Sequence, residues 1–563
     1  MPVAVAKYAP VVAEEEEDAI ELPPLNGTTT ACSGDDEDDY HDKCDGGLFS
    51  DNNIHKSLLL YRRGNVAVPL NYFLVGMVQG FAYPLMNVYP LALGASEAQQ
   101  TTLLTLKGLP SCFKILFGML SDHVPLYGLR RKPYLYIGWS FSSLSLIPLL
   151  LCSDLTLLSN TNDDQDLVDT TTNTTTTTTT SSASHWTVPA NAPSMALLCA
   201  CFFSWACGVW MADVMGDALV AERAKHEAVV HRGNTQALCY ILRGLGFVLV
   251  APLSSVLYSS YSNGAWIIVA ATTVVPLFHV PAIIMLQEIP PTVLLPAHEQ
   301  LQALWNTACS PAVWQPMGFI FLYLSCFVTN SAWKQFLETC LHFTPNQLNA
   351  LMILVGIMAF GGIVLYKVVF YKTSWRTLYI ISIAANGVFS ALQLLLIYDK
   401  TFGLPPFVFA LGDEAAKDFI LGVQYLPMVT MMVHLVPAGI EGASYALFTT
   451  TWNVASSLAD SISTMLLGIW DVSKETLAQG DWSGLVRLGI LTTVLQTLPL
   501  VAVGLLPHSV DDLQQEQQRR TTDPNYYHRG AGMTYLLVVA LALAWTIFVD
   551  VMNIVSPGWM GES

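Results

Sequence analysis

The feature that most narrows the possible folds is a succession of apolar runs, each about as long as a bilayer is thick. Crossing a hydrocarbon core of about 30 Å takes roughly 20 helical residues. Runs of that length centre on about 66–90, 100–121, 133–152, 193–217, 236–258 and 265–287. After a more polar stretch, further runs centre on about 314–337, 346–369, 375–398, 418–436, 441–470 and 484–506. In lipid the backbone must satisfy its own hydrogen bonds, so these runs read as helices. Only 12% of the residues are charged, where a soluble domain has about a quarter, and mean hydropathy is +0.45. The expected fold class is all-α, a polytopic membrane protein.

Six spans, a linker and six spans match the two-halved plan of transporters built from repeats. The expected domains are 1–55, an acidic tail too polar to fold alone; 56–287, a first six-helix bundle; 288–313, a central linker interrupted by Pro290, Pro291 and Pro296; and 314–506, a second six-helix bundle. Residues 507–563 form a tail whose apolar run, about 534–553, is long enough to be an extra membrane helix, with a surface-lying helix as the alternative. The tail 1–55 has neither the apolar core of a signal peptide nor the arginine-rich character of a transit peptide, so it is read as cytoplasmic. With that start, the inside loops hold Arg130, Arg131 and Lys132; Arg223, Lys225 and Arg232; and Lys367, Lys372 and Arg376, the bias expected of cytoplasmic loops. The plasma membrane is expected ahead of an organelle membrane. The loop 153–192 is rich in Asp and Thr, reads as disordered, and faces outside, where Asn173 is a glycosylation candidate.

The net charge of -18 sits largely in residues 14–45 and 154–169, so it describes tail and loop. With no basic face, nucleic acid is excluded as a partner. The 11 cysteines are scattered without metal-ligand spacing or a disulfide framework. There is no nucleophile paired with a base and no phosphate-binding loop, so neither an enzyme nor a cofactor is expected.

Charge inside a span is costly and marks a pathway or a pair. Lys114 lies in the second run, Asp213 and Asp217 four apart in the fourth, and Arg243 beside Gly244 and Gly246 in the fifth. Two readings of the aspartates are open. As neighbouring carboxylates they suit proton coupling; as static partners they neutralise Lys114 or Arg243. Lys334 and Glu338, again four apart, can pair with each other near Trp333 and Phe336. Pro437, Gly439 and Gly442 weaken the helix around Glu441, as at a gate or binding site, and Asn453 and Asp460 continue one polar face. Between the second and third runs, Gly118 permits close helix approach, Asp122 can pair with an arginine, and Gly128, Arg130 and Arg131 form a tight basic turn that can act as a conformational gate.

These residues carry a family resemblance. Gly118-Met-Leu-Ser-Asp122 followed by Gly128-Leu-Arg130-Arg131-Lys132 resembles the loop between the second and third spans of the major facilitator superfamily. The longer gap between Asp122 and Gly128, with Leu109-Pro110 and Lys114 upstream, is more similar to the folate–biopterin transporter family. Pro437-Ala-Gly-Ile-Glu441-Gly with Tyr445 and Asn453 resembles that family's eleventh-span signature, and Asp213 to Arg223 its fourth span. The similarity covers about 66–506 and departs at Val436, in the threonine-rich loop and in the C-terminal segment. It implies a major facilitator-type fold and alternating-access transport of folates or pterins, coupled to protons. Lys114, Arg243 and Lys334 would receive the substrate carboxylates, and an intramembrane acid would hold the ring or the proton. The other readings are a transporter of another organic anion or an amino-acid-like solute, and, in a different class, a non-transporting sensor or scaffold.

Overall fold

Helix follows every predicted apolar run. The computed structural model describes residues 63–93, 95, 97–152, 193–225, 233–261, 263–288, 296–343, 345–437, 439–523, 526–556 and 559. The acidic tail 1–55, most of the loop around Asn173, and Asn173 itself lie outside the described residues.

The first half contains helices Ala67–Asn87, Glu97–Cys112, Lys114–His123, Lys132–Ser145, Met195–Ala224 and Asn234–Ser260. Its last span runs from Gly264–Val274 through a tighter turn to Val280–Met285. The second half contains Pro311–Ser325, Ala332–Thr339, Pro345–Leu365, Trp375–Ile397, Pro406–Leu435, Glu441–Leu466 and Ser483–Thr497. Among the described residues no strand forms beyond an isolated bridge between Leu126 and Leu129. Ten segments among the described residues are long and apolar enough to cross a membrane, the C-terminal Arg529–Val549 included. Glu441–Leu466 falls outside that set because of its Ser, Thr and Asn residues. It is buried without a break from Glu441 to Thr451, so protein rather than lipid surrounds it there.

Two elements exceed what hydropathy foretold. The tenth span begins at Pro406, not near 418. Its extra turns carry Asp413, Glu414 and Lys417, and these charges satisfy one another along the helix: Lys417 lies 3.0 Å from Asp413 and 3.8 Å from Glu414. The central linker holds a helix, Ala297–Cys309, after which Pro311 opens the next span, a position where its missing N–H costs nothing. The C-terminal helix Arg529–Val555 packs on this linker helix and on Glu97–Cys112 and Glu441–Leu466, one helix from each half. Tyr535 and Thr451 share a 2.7 Å hydrogen bond in that seam.

Small residues set the closest helix contacts. A Cβ on Gly422 would lie 2.0 Å from the Ala359 carbonyl oxygen, so helices Pro345–Leu365 and Pro406–Leu435 meet backbone to backbone. Gly422→Ala must push them apart, and is expected to destabilise the fold by about 1–3 kcal/mol. Gly412→Ala on the same helix meets nothing within 4 Å and should be neutral or stabilising. Melting curves of the two purified variants in detergent check this; equal melting temperatures would contradict the close contact.

Candidate functional site

The central charges meet on one face of the Met195–Ala224 helix, where Trp210, Asp213 and Asp217 recur at helical spacing. Asp213 is 1% exposed and takes two cations: Lys114 Nζ donates to one oxygen at 2.6 Å and Arg243 Nη1 to the other at 3.0 Å. Lys114 Nζ also lies 4.4 Å from the centre of the Trp210 ring, and the Arg243 guanidinium 5.8 Å from it. Asp217 has no such cation. One of its oxygens accepts from the Tyr72 hydroxyl at 2.6 Å and the Tyr240 hydroxyl at 3.2 Å. The other oxygen is buried with no hydrogen-bond partner among the described residues. The two aspartates therefore divide the sequence readings between them: Asp213 is a static partner of both cations, and Asp217 is a carboxylate surrounded by hydroxyls.

Aromatic rings carry the site across to the second half. Tyr240 packs edge-on against Tyr72 at 5.2 Å and against Tyr425 at 5.2 Å, and Tyr425 lies 4.8 Å from Trp452. Gln236 donates to the Tyr445 hydroxyl at 2.7 Å, a second buried link between the halves. One cavity of about 260 Å³ opens beside this wall, in the second half.

The gate residues gather at the end of the molecule that carries the basic loop. Tyr127 and Gly128 both have positive φ, 55° and 77°, and Leu126 and Leu129 exchange backbone hydrogen bonds of 3.0 Å around them. Such a two-residue turn needs a residue that tolerates positive φ, which is why a glycine stands there. The turn aims Arg131 inward. It is fully buried and donates to Asp122, to Ser121 at 2.5 Å and to Glu222 at 2.7 Å. Burial would lower its pKa; the carboxylates of Asp122 and Glu222 outweigh burial and hold it above the ordinary arginine value. Arg130 reaches Glu222 at 3.5 Å. Glu288 accepts from the backbone N–H groups of Arg130, Arg131 and Lys132 at 2.6–2.8 Å, an anion at a helix start.

This end also joins the two halves. Asp122 accepts from the Ala443 N–H at 2.7 Å, at the first turn of the Glu441–Leu466 helix. A Cβ on Gly118 would lie 2.5 Å from the Gly442 oxygen, so only glycine permits that approach. Lys225 donates to Glu441 and to the Pro437 oxygen. Burial lowers the pKa of Lys225 against the pull of Glu441.

The structure thus brings Lys114, Asp213, Asp217 and Arg243 together and gathers Gly118, Asp122, Gly128, Arg130 and Arg131 at the basic-loop end. It places the other candidates elsewhere. Lys334 is well exposed and faces Glu338 at 3.8 Å, away from the cluster. Glu441 lies at the basic-loop end, paired with Lys225. Asn453 donates to the Ser111 oxygen at 2.9 Å, joining two helices of opposite halves. Sequence reasoning passed over Trp210, Tyr72, Tyr240 and Glu288. Trp210 and Tyr240 each stand three residues before a singled-out charge, so same-face spacing was the available signal.

Asp213→Asn leaves two buried cations without a counter-charge and should cost about 3–5 kcal/mol of stability. Adding Lys114→Met should recover part of the loss, since one unpaired cation goes with it. Thermal unfolding of the three proteins reads this; an unchanged melting temperature for Asp213→Asn would contradict it. At the basic-loop end, Asp122→Asn removes a charge from a helix start, an interaction of about 0.3–2 kcal/mol, and also from its buried pair with Arg131. A Ser444→Cys reporter, fully buried in the structure, should then react faster with a thiol probe than in the Asp122 background.

The chain resembles the Synechocystis sp. "Folate-biopterin transporter", 24% identical over 74% of this chain and 76% of that protein. It is 21% identical to Plasmodium falciparum "Folate transporter 1" over 71% of each chain, and 24% identical to Arabidopsis thaliana "Probable folate-biopterin transporter 2" over 73% and 75%. Among solved structures, a D-xylose-proton symporter superposes with a TM-score of 0.54 at 15% identity, covering 80% of this chain and 99% of that one. A bacterial homologue of the iron transporter ferroportin, in an outward-facing state, gives 0.51 at 13%, covering 79% and 99%. At such identities the likeness shows the fold alone, the helical bundle that this chain shares with those two proteins. The BT1 family model matches residues 76–156 and 177–523, and the chain belongs to the BT1 family.

Proposed function

We propose that the protein moves folates or pterins across a membrane by alternating access, coupled to protons. The observation that carries this reading is the sharing of Asp213 by two cations. One carboxylate between Lys114 and Arg243 leaves positive charge beside the aromatic faces of Trp210 and Tyr240. A folate presents a flat heteroaromatic ring and glutamate carboxylates, and Arg243 can hold a carboxylate with two hydrogen bonds. The names of the relatives point to the same substrate class.

In this scheme a substrate carboxylate competes with Asp213 for Arg243. Asp217, with an unpartnered buried oxygen, takes up and releases the proton. The two halves rock about the site. The contacts of Asp122 with Ala443 and of Lys225 with Glu441 hold the basic-loop end shut, and that end faces the cytoplasm as loop charge expects.

The test is uptake of labelled folate into a transport-deficient host. Wild-type uptake should rise as external pH falls and drop when a protonophore collapses the gradient. Lys114→Met and Asp217→Asn should each lower it about tenfold or more, the scale of one charge-assisted hydrogen bond. A surface-expressed protein that takes up neither folates nor biopterin removes the substrate. Uptake that is indifferent to the gradient removes the coupling.

A further inference from the structure

The 260 Å³ cavity in the second half is lined by Tyr323, Phe327, Gln424, Tyr425, Trp452 and Asp460, among others. Its volume lies just below that of pockets that hold whole drug-sized ligands, about 300–1,000 Å³. It suits one ring system. Two walls are aromatic: Tyr425 against Trp452, and Tyr323 against Phe327 at 6.4 Å.

Two polar groups give it a direction. Gln424 is 1% exposed. Its Oε1 accepts from the Tyr323 hydroxyl, while its Nε2 is buried with no hydrogen-bond partner among the described residues. A buried amide donor left open is costly, and calls for an acceptor. Asp460 lines the cavity, and no cation pairs with it among the described residues. The pocket thus brings a carboxylate and an amide with an unpartnered N–H together beside flat walls.

We infer that this cavity is a subsite for a flat heterocycle that carries adjacent N–H donors and a carbonyl acceptor on one edge, the pattern of a 2-amino-4-oxopteridine. Asp460 accepts from the 2-amino group and the neighbouring ring N–H, as carboxylates do for paired donors. Gln424 Nε2 donates to the 4-oxo group. Tyr425 and Trp452 pack on the ring. Tyr425 is shared with the charge cluster, its ring 5.2 Å from that of Tyr240, which bonds Asp217. A ligand with its ring here and its carboxylates at Arg243 and Lys114 touches both halves at once. This inference rests on the proposed substrate class and deepens it.

The experiment measures binding to the purified protein of four ligands: folate, biopterin, p-aminobenzoylglutamate and methotrexate. Biopterin has the ring without the tail, p-aminobenzoylglutamate the tail without the ring, and methotrexate a 4-amino group in place of the 4-oxo. Asp460→Asn should weaken folate and biopterin about tenfold or more and leave p-aminobenzoylglutamate unchanged. Gln424→Glu keeps the acceptor for Tyr323 but turns the open donor into an acceptor. It should weaken folate and shift preference toward methotrexate. If Asp460→Asn weakens p-aminobenzoylglutamate as much as folate, Asp460 acts through proton or fold and the subsite is wrong. It is also wrong if wild type binds folate and neither variant alters any ring-bearing ligand. A wild-type protein that binds none of the four overturns the substrate class itself, and the subsite with it.

Discussion

A charge inside a bilayer has no water to retreat to, and this protein answers that constraint with Asp213. One carboxylate neutralises Lys114 from one helix and Arg243 from another. Removing any partner of such a group is expensive, because the others stay buried. The three helices that supply these residues are held in register by the same demand. The aromatic faces of Trp210 and Tyr240 then lie against the cations.

The ends of the helices solve a related problem. A helix start leaves backbone N–H groups without partners. Glu288 serves the start of Lys132–Ser145, within the first half. Asp122, from the first half, serves Glu441–Leu466 in the second. The first contact is local and permanent in character. The second crosses between the halves, so a polar requirement of one half is met by the other. The C-terminal helix Arg529–Val555 lies beyond the residues that the family model matches, yet packs on a helix from each half.

Much of this was legible in advance, and the reasons are specific. Lys114, Asp213, Asp217 and Arg243 stood out because charge is rare in apolar runs, whatever the fold. Lys334 carried the same signal and proved to lie at an exposed helix with Glu338, since charge at the end of a span costs little. Glu441 was singled out for its broken helix, and it sits at the gate rather than in the cluster. Tyr425 and Trp452 gave no local sign, because aromatic residues are common on helices and their role depends on what faces them.

Hydropathy and loop charge by themselves determined an all-helical membrane protein, because spans of about 20 residues and costly buried charge are properties of the chain against lipid. Spacing along one helix also put Asp213 and Asp217 on a shared face. Only the tertiary structure decided which aspartate took the cations and which took the tyrosines. It also decided which glycine met which backbone, and which rings closed the wall between the halves. Those outcomes depend on residues as far apart as Lys114 and Asp213, or Asp122 and Ala443. Helical periodicity sets a direction around one axis, and the partner across the gap is chosen by packing alone.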